Sequence, residues 1–198
     1  VASTPDVLSL YPRKADEEML GIVADDYEGL FLVDTCDTDE DLYGNYFMSD
    51  LKTALLLYEW INETPEESIT EALGIGPGDI RSRADMVEWV LYAMTEIALI
   101  FKPTAMRRVR TLLTRVRHGI KQELLELTSF RGVGRVRARV LYGHGIKGRA
   151  DILGAETAKL AALPKIGPAL ATGLKEQAGG GAPGPASAPV EEDEETAR

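Results

Sequence analysis

Apolar positions recur at helical spacing through the middle of the chain and predict one long helix over Asp79–Phe101. Ile80, Ala84, Val87, Leu91, Met94, Ala98 and Phe101 step by four and three, which puts them on one face. Asp79 follows Gly76-Pro77-Gly78 and suits an N-cap, and Lys102-Pro103 closes the run. Met86, Val90, Ala93 and Ile97 add apolar character on a further side, the pattern of a central helix. Trp89 falls outside the stripe, in line with Ser82 and flanked by Asp85, Tyr92 and Glu96. Two readings stand for it. It packs on a second face, or it presents a flat aromatic to a ligand, for which base stacking is the natural use.

Around this helix the pattern predicts others. Ala15–Val23 reads as a short helix, and Leu30–Val33 as a short strand or buried turn before the acidic loop Asp34–Asp41. Ser49–Glu63 is helical, capped by Ser49 or Asp50, with Leu51, Ala54, Leu55, Tyr58 and Ile61 on one side. Thr64-Pro65-Glu66-Glu67 opens a short helix as a capping box, and Gly74 ends it. Thr104–His118 is helical along Met106, Val109, Leu112 or Leu113, and Val116, with arginine over much of the rest; Ile120–Leu127 continues after Gly119.

Charge changes the picture. Residues 1–101 hold 5 basic and 22 acidic side chains, 102–149 hold 13 and 2, and 150–198 hold 4 and 8. A block of +11 inside a chain of net charge −10 is a local field suited to a polyanion, unless it is only a solvated face. The one cysteine, Cys36, excludes an internal disulfide framework and fits a reducing, cytoplasmic setting; it and the two histidines offer no metal spacing. No apolar run is long enough to span a membrane. The start at Val1 reads as a piece of a longer chain.

Phe130–Gly145, FRGVGRVRARVLYGHG, carries the most informative short motif. Gly132 and Gly134 flank Val133 just before an amphipathic helix along Val136, Val140 and Leu141, so a tight hairpin buries Val133. The helix-start N–H groups then face outward, a backbone site for phosphate, with Arg131, Arg135, Arg137 and Arg139 around it. Leu163–Leu170 echoes this hairpin, with Lys165 in place of the first glycine. Two such hairpins make one small helical domain; the alternative is a helix-hairpin-helix used only for protein contact.

There is no GxxxxGK[ST] loop, no GxSxG elbow and no HExxH, and the acidic loop lacks calcium-loop spacing. From Ala178 the glycine-, proline- and alanine-rich run with its acidic end reads as a disordered tail.

TALLLYEWI, IGPGDIRSRADMVEWVLYAM, RVRHGIKQELLEL and RGVGRVRARVLYGHGI, in that order, resemble the C-terminal part of archaeal superfamily 2 DNA helicases of the Hjm type, relatives of the helicase half of DNA polymerase theta. The opening STPDVLSLYPR resembles the start of that family's fourth domain. The resemblance implies an all-α fold: a helical bundle around one long central helix, then a small helix-hairpin-helix domain. The expected division is 1–125 for the ratchet domain, 126–178 for the hairpin domain and 179–198 for the tail. It implies a region of an ATP-dependent 3′–5′ helicase acting on forked replication and repair intermediates. ATP and magnesium would belong to motor domains preceding Val1, with no cofactor in this chain. The family's ratchet tryptophan corresponds to Trp89. Its arginine two turns earlier corresponds to Ser82, where Arg81 and Arg83 stand on either side. Arg137-Ala138-Arg139 matches a motif that touches the exiting strand and restrains the motor.

The expected partners are single-stranded or forked DNA, the motor domains of the same polypeptide and a protein for the acidic tail, with no membrane and a monomeric chain. The alternative is a protein-interaction or autoinhibitory module that docks on the motor domains without touching DNA.

Overall fold

The computed structural model describes residues 1–31 and 41–180, and among them every regular element is helical. The chain divides into two compact units, Val1–Leu125 and Glu126–Arg198.

The first unit is a bundle of α1 (Glu17–Tyr27), α2 (Asp41–Ile61), α3 (Glu66–Leu73), α4 (Pro77–Phe101) and α5 (Pro103–His118). Helix α4 has 25 residues, about 37 Å of rod, and it touches α2, α3 and α5. Ile80, Ala84, Val87, Val90 and Leu91 of α4 meet Leu56, Leu57 and Trp60 of α2, Ile69 and Leu73 of α3, and Leu113 and Val116 of α5 in one core. Trp60 is 4% exposed, and its indole N–H donates to the Val116 carbonyl at 2.6 Å. Gly119 ends α5 at φ +60, and a Cβ there would lie 2.4 Å from the Trp60 ring. Both the left-handed turn and the indole therefore demand glycine.

The segment before α1 is strapped onto this bundle. The Leu10 N–H donates to the Thr53 hydroxyl at 2.8 Å, the Ser9 hydroxyl donates to Asp50 at 2.8 Å, and Arg83 Nε donates to the Leu8 carbonyl at 3.2 Å. Beneath lies a buried ion pair, Lys52 Nζ to Asp16 Oδ2 at 2.6 Å, with the Arg13 guanidinium on the other carboxylate oxygen at 2.7 Å. Arg13, then Lys52, hold the Asp16 carboxyl well below the usual carboxylate range against the opposing effect of burial.

Several element boundaries differ from expectation. Helix α4 starts at Pro77, and Asp79 is its third residue; its carboxylate reaches back to accept from the Gly76 N–H at 2.9 Å. Proline at the first helical position needs no N–H partner, which is why the start lies earlier. Helix α2 begins at Asp41, so Ser49 and Asp50 lie within it and do not cap it. Helix α1 runs to Tyr27, and a single 3-10 turn, Glu28–Leu30, follows; Leu30 is exposed there, not buried, and Leu32 and Val33 lie outside the described residues. So does the acidic loop as far as Glu40. Thr64 does not cap α3; its hydroxyl donates to Glu59, and Pro65 holds the cap position. On α4 the buried positions are Val90 and Thr95 where Met94 and Phe101 were expected, and Phe101 is 79% exposed.

The second unit is built from α7 (Arg135–Gly143), α8 (Arg149–Gly154), α9 (Thr157–Ala161) and α10 (Gly167–Gly179), preceded by α6 (Leu125–Thr128), the turn of helix on which the division falls. Leu127, Phe130, Val133, Ala138, Leu141, Ile152, Leu160, Ile166, Ala171 and Leu174 are buried. Val136 is exposed where an apolar contact was expected; the buried positions of α7 are Ala138 and Leu141, three residues apart on the opposite side of the helix. Ala178 and Gly179, expected at the start of the tail, belong to α10, where Ala178 is buried, and residues 181–198 lie outside the described residues.

Candidate nucleic-acid interface

Trp89 is 62% exposed midway along α4. Its neighbours Val87, Val90 and Leu91 are fixed in the core, so the indole projects from a rod whose opposite side is packed. Tyr92, three residues on, is exposed beside it, and Ser82, seven residues back, shares the face half-buried. The face also carries exposed Asp85 and Glu96. Two carboxylates repel phosphate, so this surface favours flat apolar contact over backbone charge.

Arg81 and Arg83 part ways. Arg83 is committed to the fold, ion-paired to Asp79 and donating to the Leu8 carbonyl. The Arg81 guanidinium lies 6.0 Å from the centroid of the buried Trp60 ring. Eight residues from Trp89, Arg81 stands about 80° away around the helix. Ser82 and Trp89 share a face; Arg81 is on another. Just below the indole, Glu88 ion-pairs with Arg117 of α5 at 2.7 Å. Burial, then Arg117, pushes the adjacent His118 below the ordinary imidazole range, with Glu88 opposing.

In the second unit the two hairpins share one backbone turn. The Val133 N–H donates to the Phe130 carbonyl at 3.1 Å, and the Ile166 N–H to the Leu163 carbonyl at 3.2 Å. Gly132 takes φ +83, and Lys165 takes φ +64. Gly134 is extended and caps α7, whose first N–H groups begin there beside Arg135.

The four arginines are not equivalent. Arg137 Nε donates to the Lys165 carbonyl at 3.0 Å, and another guanidinium N–H donates to the Gly132 carbonyl at 2.9 Å, so Arg137 staples one hairpin to the other. The Arg139 guanidinium lies 5.3 Å from the Tyr142 ring centroid, and Lys147 Nζ lies 5.8 Å from the same ring. Arg131 is exposed while its backbone is held by Gln177, its N–H donating to the side-chain oxygen at 2.7 Å. Arg135 is half-buried and partnered within the fold. Thus Arg131 offers its charge to solvent, and Arg137 acts first on the hairpins. The sequence read them as one ring because the carbonyls that occupy Arg137 come from 5 residues before it and 28 residues after it.

Among the described residues no three His, Cys, Asp or Glu side chains gather as a metal site, and no helix is long and apolar enough to cross a membrane.

Comparison with known proteins follows the same division. Residues 1–119 match the family model for domain 4 of archaeal helicases, and residues 124–179 match a SAM-like helix-hairpin-helix tandem. Proteins described as ATP-dependent DNA helicase Hel308 are similar over most of the chain. That of Methanocella arvoryzae is 41% identical over 180 residues, 90% of this chain and 24% of the relative. That of Thermococcus kodakarensis is 35% identical over 182 residues, covering 90% and 16%, and that of Pyrococcus abyssi 35% over 176 residues, covering 88% and 24%. The chain thus spans a quarter or less of the length of these relatives. The long rod, its bundle and the paired hairpins fit this match, and the chain belongs to the archaeal helicase domain 4 family.

Proposed function

We propose that this chain guides single-stranded DNA within an ATP-dependent DNA helicase. The observation that carries the proposal is Trp89, a large aromatic held in water on a helix packed along its other side. Leaving an indole exposed forgoes burial worth about 2 kcal/mol, so a stacking partner is its natural complement. Stacking on a base tolerates any sequence, as a translocating strand requires. In this reading Tyr92 widens the platform and Ser82 lines the same face. Arg81 shields Trp60 and contributes charge from the side.

The hairpin unit holds the backbone in the same reading. Gly132 and Gly134 let phosphate approach the start of α7, Arg131 and Arg135 supply charge, and Arg139 meets the leaving strand. Arg137 regulates by keeping the two hairpins in register, so its loss loosens the brake on the motor. In this reading ATP and magnesium belong to the motor domains of the whole protein, in keeping with relatives described as ATP-dependent. The whole protein would move 3′ to 5′ on forked replication and repair intermediates.

The test is anisotropy with a labelled oligothymidylate. Trp89→Ala is expected to weaken binding about 5- to 150-fold, in keeping with ~1–3 kcal/mol per stacked base. Equal affinity for wild type and Trp89→Ala removes the reading.

A further inference from the structure

The aromatic face of α4 carries exposed Asp85 and Glu96, so the phosphates of a strand stacked on Trp89 need donors beyond that face, in addition to those of the hairpins. One surface has the chemistry. Arg107, Arg108, Thr111, Leu112 and Arg115 of α5, with Gln122, line an open cleft of about 410 Å³. Every polar side chain in that lining donates hydrogen bonds, and no carboxylate is among them. Arg107 and Arg108 are exposed, with no hydrogen bond or ion pair to any described residue. Arg115 is anchored, donating to the carbonyls of Ile120 at 3.1 Å and Ile61 at 3.2 Å, which fixes the cleft floor and leaves its other N–H groups available.

Helix α5 returns along α4 after Lys102, and the Glu88–Arg117 contact sets the cleft's height against Trp89. Helical phase puts Arg115 and Arg108 about 160–180° round α5 from Arg117, so the path from Trp89 to the cleft runs round the exposed side of α5. Measured from Arg117, Arg115 stands about 3 Å along the axis and Arg107 about 15 Å. The span from Arg107 to Arg115, about 12 Å, covers roughly three to four phosphate-to-phosphate steps of one strand at B-form axial rise.

We infer that the α5 cleft is a second nucleic-acid site, which binds the sugar-phosphate backbone of the strand whose base stacks on Trp89. The inference rests on the single-strand reading above and adds residues outside both the tryptophan face and the hairpins. Arg107 and Arg108 make the phosphate contacts, Thr111 and Gln122 supply neutral donors, and Arg115 is a positioning residue.

The experiment is a salt titration of oligothymidylate binding to the 198-residue chain, comparing wild type, Trp89→Ala and Arg107→Gln with Arg108→Gln. Melting curves check folding, and Arg107→Lys with Arg108→Lys serves as the charge-keeping control. Loss of two contacts lowers the slope of log affinity against log salt by about 1.4, at about 0.7 per phosphate on a single strand. Affinity at low salt falls roughly tenfold, two charged contacts being lost. The lysine pair keeps the wild-type slope, and Trp89→Ala loses affinity with its slope unchanged. A wild-type slope in the glutamine pair overturns the inference and leaves the Trp89 reading standing. A normal slope in the glutamine pair together with lost binding of a polyglutamate peptide reassigns the cleft to an acidic protein segment. No wild-type binding at any salt sinks both.

Discussion

Lys165 adopts the left-handed backbone that Gly132 adopts in the first hairpin, φ +64 against φ +83, and both residues present their carbonyls to Arg137. A side chain in this region costs about 1 kcal/mol that glycine does not incur. Lys165→Gly is therefore expected to stabilise the second unit, by up to about 1 kcal/mol after the entropy of the unfolded glycine is counted. Gly132→Ala does the reverse, since its φ is unfavourable and the new Cβ meets Leu170 at 3.0 Å. Urea unfolding of each variant gives the sign.

Arg137→Ala removes two charged hydrogen bonds that join the hairpins. Each is worth about 1.5–3 kcal/mol where the acceptors are left unpaired, and less where water replaces the guanidinium, as it does at this exposed site. A loss of about 1–2 kcal/mol is expected, confined to the second unit and read by amide exchange at Val133 and Ile166.

The two tryptophans separate function from stability. Trp60→Ala is expected to cost about 3–5 kcal/mol, because a buried indole and its bond to the Val116 carbonyl both go. Trp89→Ala should leave the melting temperature within about 2 °C of wild type, since the residue is exposed. A thermal scan of both distinguishes the roles.

Asp16→Asn leaves Lys52 buried beside a neutral partner, and a loss of about 3–5 kcal/mol is expected. The pH dependence has a definite sign. The folded carboxyl titrates below its unfolded value of about 3.9, so its contribution is complete above that value and disappears as pH falls below it. His118 acts higher on the scale. Its folded imidazole is harder to protonate than the unfolded one, so stability falls as pH drops through the unfolded value of about 6.5. His118→Gln should flatten the stability curve between pH 7 and 5, measured by urea midpoints.

Much of this was readable from local rules. The long helix, the glycine stops at Gly74 and Gly119, and the buried Val133 all follow from spacing and backbone preference. Long-range facts were not readable. The Asp16–Lys52 pair joins residues 36 apart, and the Arg137 staple reaches 28 residues forward. Periodicity also persists where neighbours do not: the shared core on α4 ends at Leu91, so Phe101 keeps its helical phase and faces water. The same limit held for Trp89, whose two readings differ only in whether another element covers it.

Fluorescence of Trp89 tests the central claim most directly. In a Trp60→Phe background Trp89 is the one remaining indole of the two in the chain, and acrylamide should quench it freely. Saturating oligothymidylate is expected to shift its emission and shield it from acrylamide, as a stacked base would. Emission and quenching that stay unchanged while anisotropy shows the oligonucleotide bound would contradict the account.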